Sequence, residues 1–143
     1  MYKDILLSVD LAHGGHKRKA HEIAIEYCQA FKSTLHVITV VPESGMAIVN
    51  QFFNQKHMAE DLITKVNDKL HDFTKEHIPE DVPVQHIVTT GNVYESIINA
   101  AEKIDCDLII MSAHKPVVKD FLLGPNASKV VRHSTKSVLV VRG

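Results

Sequence analysis

Tryptophan is absent, and aromatic residues make up only 6% of the chain, too few to build the stacked platform with which proteins grip single-stranded nucleic acid. Charge of one sign is not in excess either. A formal net charge of −1 removes the general electrostatic attraction toward nucleic acid or an anionic membrane. Long apolar runs are missing: none approaches a membrane span, and the start has no signal-peptide pattern. The expectation is a cytoplasmic protein with neither nucleic acid nor membrane as partner. Cysteine is sparse, and Cys28 and Cys106 stand far apart in apolar surroundings, so both are read as buried free thiols. Also lacking are a Gly-x-x-x-x-Gly-Lys-Ser/Thr phosphate loop, a Gly-x-Ser-x-Gly nucleophile elbow, a His-Glu-x-x-His pair and any Cys/His zinc spacing. No nucleophile stands beside a legible base.

What the chain does contain is a regular alternation of two periodicities. Asp4 to Val9, Leu35 to Val41, Val84 to Thr89, Leu108 to Met111 and Val138 to Val141 are short, β-branched, nearly continuous apolar runs, as expected of strands covered on both faces. Between them, apolar residues recur three and four apart: Ala20 to Phe31, Leu62 to Phe73 within a helix clear from Ala59, Val93 to Ile104, and Ala127 to His133. Pro42 stops the second strand, Pro79 closes the second helix and Gly91 marks the turn after the third strand. Ser44 to Gln55, with Phe52-Phe53, reads as a connector. Strand alternating with helix predicts an α/β fold, an open five-stranded parallel sheet with helices on both faces. At 143 residues, one domain over 1–143 accounts for the chain. Periodicity does not give the strand order.

The stretch from Leu108 to Arg142 carries the candidate site. In open parallel sheets, ligands lie at the carboxyl ends of strands, often against helix N-termini. The segment from Ser112 to Leu123 follows such a strand and is too long for a mere connector. It includes His114, Lys115 and Lys119, and leads into Gly124-Pro125-Asn126, which opens a helix. Asp10 ends the first strand; a carboxylate there could hold a metal or a ribose hydroxyl, or equally cap local backbone N–H groups. Of the ten histidines, including His13, His16 and His21, His114 is singled out by its place in the loop, solvated surface histidine being the default for the rest.

Taken together, Lys-Asp-Ile-Leu-Leu-Ser-Val-Asp at the start, Leu35-His36-Val37-Ile38, Gly91, Asp-Leu-Ile-Ile-Met, and Leu-Leu-Gly-x-Asn-Ala followed by Val-Val-Arg-His and Val-Leu-Val-Val-Arg make the sequence resemble the universal stress proteins over its full length. Within them it is most similar to the small ATP-binding, enterobacterial-type branch. The resemblance implies a Rossmann-like fold akin to the adenine-nucleotide α-hydrolases, and a homodimer. Its ATP-binding members carry Gly, two residues, Gly, nine residues, Gly, then Ser or Thr. By position Ser112 replaces the first Gly, Lys115 the second, and Gly124 is the third. Eight residues separate Lys115 from Gly124, one fewer than in the motif. Pro125 stands where a hydroxyl would meet phosphate and supplies neither O–H nor N–H. Asn126 and Ser128 are the residues placed to compensate. The same matching puts Asp10 at the ribose or the metal-phosphate region, Val37 at the adenine and the Gly91 backbone close to the nucleotide.

The resemblance thus implies an ATP-binding stress-response protein, with AMP or ADP as alternatives and Mg2+ at Asp10, that signals by binding. Two other functions stay open: a nucleotide-free dimeric adaptor, favoured by the lost glycines and Pro125, and a slow ATPase. The final strand, residues 137–142, reads as an exposed edge without charge or proline within Val138 to Val141, and the family pairs its dimers through the corresponding strand.

Overall fold

In a computed structural model of the protein, residues 1–11, 19–42, 56–113 and 124–142 are described, those at 56–59 by backbone alone. The elements are β1 (Asp4–Ser8), α1 (Lys19–Phe31), β2 (Thr34–Pro42), α2 (Lys56–His77), β3 (Val84–Gly91), α3 (Val93–Ile104), β4 (Leu108–Ser112), α4 (Pro125–His133) and β5 (Ser137–Val141). Every expected strand and helix is present, with ends shifted by a few residues. Pro42 is the last residue of β2 rather than the residue after it, since a strand end can do without the missing N–H. The Ser44 to Gln55 connector, His13 and His16 lie outside the described residues.

The five strands form one parallel sheet in the order β3-β2-β1-β4-β5. β1 sits at the centre, with Ile5 opposite Leu35 on one side and Leu108 on the other. Its Ile5, Leu6 and Leu7 are all 0% exposed, because consecutive side chains point to opposite faces and both faces are covered. Ile5, Leu7, Leu35, Val37 and Ile110 pack beneath Ala24 and Cys28 of α1 and Leu70 of α2. Leu6, Ile38 and Ile109 pack beneath Ile97 and Ala101 of α3 and Ala127 and Val130 of α4. Cys28 and Cys106 are therefore on opposite faces, free and buried, and burial pushes each thiol up to about 11.

Two polar devices fix how the layers meet. The Asp107 carboxylate accepts the N–H groups of Lys3 (2.8 Å) and Asp4 (3.0 Å), tying the start of β1 to the start of β4. α3 begins where the Asn92 side chain accepts the Glu95 N–H at 3.2 Å. It ends with Asp105 left-handed at φ 52°, the Asp105 and Cys106 N–H groups bonding Glu102 O and Ala101 O at 3.1 Å each. Asp105 also accepts a hydrogen bond from Lys136, which holds its carboxyl below the usual range.

A candidate nucleotide site at the carboxyl edge

The chain leaves β1 toward β2 and β3 on one side of the sheet and returns to β4 and β5 on the other. The helices that follow β1 and β4 consequently leave to opposite faces, opening a crevice between those two strand ends. A cavity of about 770 Å³ occupies that place. Its floor is the ends of β1, β2 and β4, one side is the start of α4, and α2 forms the far wall.

Local backbone bonds bring the site residues together. Val9 N–H bonds Ile38 O at 2.9 Å, carrying β1 past its last paired residue so that exposed Asp10 stands on the cavity rim. Ala113 N–H bonds Val141 O at 2.9 Å, and Gly124 N–H bonds Ala113 O at 3.2 Å, so the chain returns to the end of β4 and sets Gly124 close to Ser112. Gly124 is buried and caps α4 with no side-chain bond; Pro125 occupies the first turn. Ser128 N–H bonds Gly124 O at 3.0 Å, the first bond of the helix. The N–H groups of Asn126 and Ala127 fall in the first turn, where no helical carbonyl precedes them, and both residues face the cavity. They sit at the positive end of the helix dipole, a setting that favours an anion.

Asp10, Ser112, Gly124 and Asn126 thus share one cavity. Val37 does not join them. Its side chain is 0% exposed in the interior beneath α1 and α2, because the carboxyl end of β2 lies further on, and β2 reaches the cavity through Thr39 to Pro42. Gly91, paired with Pro42, is also off the wall. Its φ of +125° requires glycine for backbone conformation, while an added Cβ would meet Ser96 Oγ only at an ordinary 3.7 Å. Ser128 is exposed beyond the wall. His114 and Lys115 lie outside the described residues.

Sequence reasoning missed the α2 wall. Val66, Lys69, Phe73 and Glu76 line the cavity, joined by His77 and, from α1, by buried His21. Their three- and four-residue spacing was the available signal, but charged positions beside an apolar stripe read first as a solvated face. Phe73 stands 5.4 Å from the His21 ring and 4.8 Å from that of His77, centre to centre. Among the described residues no three His, Cys, Asp or Glu side chains cluster as metal ligands, and the carboxylates that line the cavity are those of Asp10, Asp72 and Glu76.

The chain matches the model of the Universal stress protein family over residues 1–142. Universal stress protein G of Salmonella typhimurium is 29% identical, the match covering 99% of this chain and 100% of that protein. Universal stress protein MJ0577 of Methanocaldococcus jannaschii is also 29% identical, over 99% of this chain and 96% of its own. A solved structure of MJ0577 superposes with a TM-score of 0.75 at 31% identity, covering 100% and 97% of the two chains. A universal stress protein solved in complex with cAMP shares the fold, with a TM-score of 0.63 at 16% identity and coverage of 99% and 97%. With a family match spanning all but the last residue, and relatives aligned from end to end, this chain belongs to the universal stress protein family.

Proposed function

We propose that the protein is a cytoplasmic stress-response module that binds an adenine nucleotide, ATP in the first place, and acts by binding rather than by turnover. The observation that carries this reading is the meeting of Asp10, Ser112 and the Gly124–Asn126 helix start around one cavity at the β1/β4 crevice. The phosphates lie against the Asn126 and Ala127 N–H groups, and Asp10 takes a ribose hydroxyl or a phosphate-bound Mg2+. Lys115 and His114 are assigned to the nucleotide by the match of sequence alone. The adenine lies toward the end of β2, at Thr39 to Pro42. The cAMP held by one protein of this fold agrees with an adenine ligand through the fold alone. Among the described residues no helix is long and apolar enough to cross a membrane. Calorimetric titration with Mg-ATP should give saturable heat and a rise in melting temperature. Absence of both, with no nucleotide released on denaturing the purified protein, would leave the adaptor reading in its place.

Pro125 sets the strength of the phosphate site. It supplies neither the N–H nor the hydroxyl that a serine would offer at the first turn of α4. A hydrogen bond to a charged group contributes about 1.5–3 kcal/mol, partly replaceable by water. Pro125→Ser should therefore tighten ATP by about tenfold, since about 1.4 kcal/mol is a factor of ten. Adenosine, lacking phosphates, should change little. Equal tightening of both ligands would show that the phosphates lie elsewhere.

The module is a homodimer in this reading, paired through residues 137–142. β5 is an edge strand whose Val138, Leu139 and Val140 remain half-buried in the single chain. An uncharged edge of this kind accepts a second strand. Sedimentation equilibrium at micromolar concentration should give the dimer mass, and Val140→Lys, its fold checked by circular dichroism, should give the monomer. A monomeric wild type rules out this pairing.

A further inference from the structure

α2 is held to the sheet along a seam of unusual composition. At 100° per residue, Leu70 and Thr74 of α2 point into the body of the protein. Val66, Lys69, Phe73 and Glu76 flank that stripe on the cavity side. On the other flank, toward β3, His71 stacks on His86 with ring centres 3.7 Å apart and planes 13° from parallel. His71 Nδ1 lies 2.9 Å from Asn67 O, which can only accept, so this nitrogen carries a proton. Thr74 Oγ1 donates to His71 O at 3.0 Å and stands 2.6 Å from His86 Nε2, so His86 donates its Nε2–H to Thr74. Both rings are thus fixed in position and tautomer while neutral. One further proton on either ring leaves a cation over a neutral ring, which the stack tolerates; a second puts two cations face to face.

The groups facing the pair offer little to offset that charge. On α2, Asp68 precedes His71 by three residues and Lys75 follows it by four, one of each sign. On β3 the same-face neighbours of His86 are Val84 and Val88, and on β2 they are Leu35, Val37 and Thr39, all uncharged. The other histidine contact of this helix differs. His77 and His21 are 4.9 Å apart at the α1 seam, but the Glu76 carboxylate is 3.7 Å from His77 Nε2 and can compensate a charge there.

We propose that the His71–His86 stack is a proton-sensitive clasp: acidification below about pH 6 loosens α2 from β3, and with it the wall that α2 gives to the nucleotide cavity. Acid conditions thereby weaken the binding proposed above, on which the regulatory half of this inference rests. Partial burial, and secondarily the neighbouring His71, lower the His86 pKa below its usual 6.5. The folded chain thus resists protons that the unfolded chain accepts. The stabilisation is complete above pH 6.5 and is lost as pH falls from there toward the lowered value.

The experiment is hydrogen exchange on the full chain at pH 7.5 and 5.5, with the chemical exchange rate divided out, reading α2 against α3 as internal reference. One proton of linkage changes an equilibrium by about tenfold per pH unit at most, so α2 should open up to about tenfold more at pH 5.5 while α3 does not change. His86→Phe should remove the pH dependence, and His71→Phe, at an exposed position, should reduce it to the part that burial of His86 alone carries, each keeping a stacked ring. An α2 that stays closed at pH 5.5, or opens equally in the phenylalanine variants, overturns the clasp. Mg-ATP titration of the wild type over the same range should lose affinity in parallel. Unchanged affinity while α2 loosens overturns the regulatory link. Should Mg-ATP fail to bind even at pH 7.5, the nucleotide reading falls, and the exchange data still decide the clasp.

Discussion

Asp10→Ala should weaken Mg-ATP by about ten- to a hundredfold and leave the melting temperature within a few degrees of wild type. The carboxylate stands on the rim of the cavity one residue past Val9, whose N–H bond to Ile38 O fixes the direction in which the chain leaves β1. A hydrogen bond made by an ionised partner contributes about 1.5–3 kcal/mol, and every 1.4 kcal/mol is roughly a factor of ten in Kd. Because Asp10 is exposed, its truncation opens no cavity in the core, and stability changes little. Titration of the variant with Mg-ATP, and with ATP in excess EDTA, separates its two roles. A defect that persists without magnesium places Asp10 at the ribose; one that vanishes places it on the metal. Unchanged affinity in both would remove Asp10 from the site.

Leu70→Ala is expected to have the largest effect on stability, lowering it by about 2–5 kcal/mol. Leu70 is 0% exposed and is the one fully buried apolar side chain on α2 among those described. Truncating it forfeits the transfer free energy of the lost carbons and leaves a void beneath the helix that the neighbouring strand residues cannot fill. For a chain of this size about 1 kcal/mol moves the melting temperature by roughly 3 °C, so a fall of about 10 °C is the outcome to look for by calorimetry. Val66→Ala, half-buried one turn earlier, should cost distinctly less. Equal losses at both positions would mean that α2 is held by its cavity side and not by its core stripe.

Much of this architecture could be read before any coordinates, because each element advertises its own surroundings. Ile5-Leu6-Leu7 without alternation says that both faces of β1 are covered, and the recurrence of Val93, Ile97, Ile98, Ala101 and Ile104 says which side of α3 is inside. The order β3-β2-β1-β4-β5 could not be read, because apolar spacing reports what lies above and below a strand and nothing about its lateral neighbours. At the site, Asp10, Ser112, Gly124 and Asn126 were legible as strand ends and a helix start. Val37 was carried to the adenine by likeness of position, whereas the sheet buries that residue and presents Thr39 to Pro42. Lys69, Glu76 and the two seams of histidines went unseen because polar residues on a long helix look solvated until the partner surface is known.

The central position of β1 also bears on how the protein must be made. One flank of β1 finds β2 within about thirty residues, as in the pairing of Asp4 with Thr34. Its other flank waits for β4, and the Asp4–Asp107 hydrogen bond spans 103 residues. On the ribosome, roughly three-quarters of the domain must emerge before Leu6 and Leu7 have lateral cover from Ile109 and Ile110. Until then a three-stranded fragment persists whose β1 edge leaves its backbone N–H and C=O groups unpaired, and closing so long a loop slows its completion. The nascent chain is accordingly most prone to self-association, and most in need of a chaperone, in the interval after β3 has emerged and before β4 has. The strand that organises the finished crevice is thus the first to be made and has the longest wait for its second neighbour.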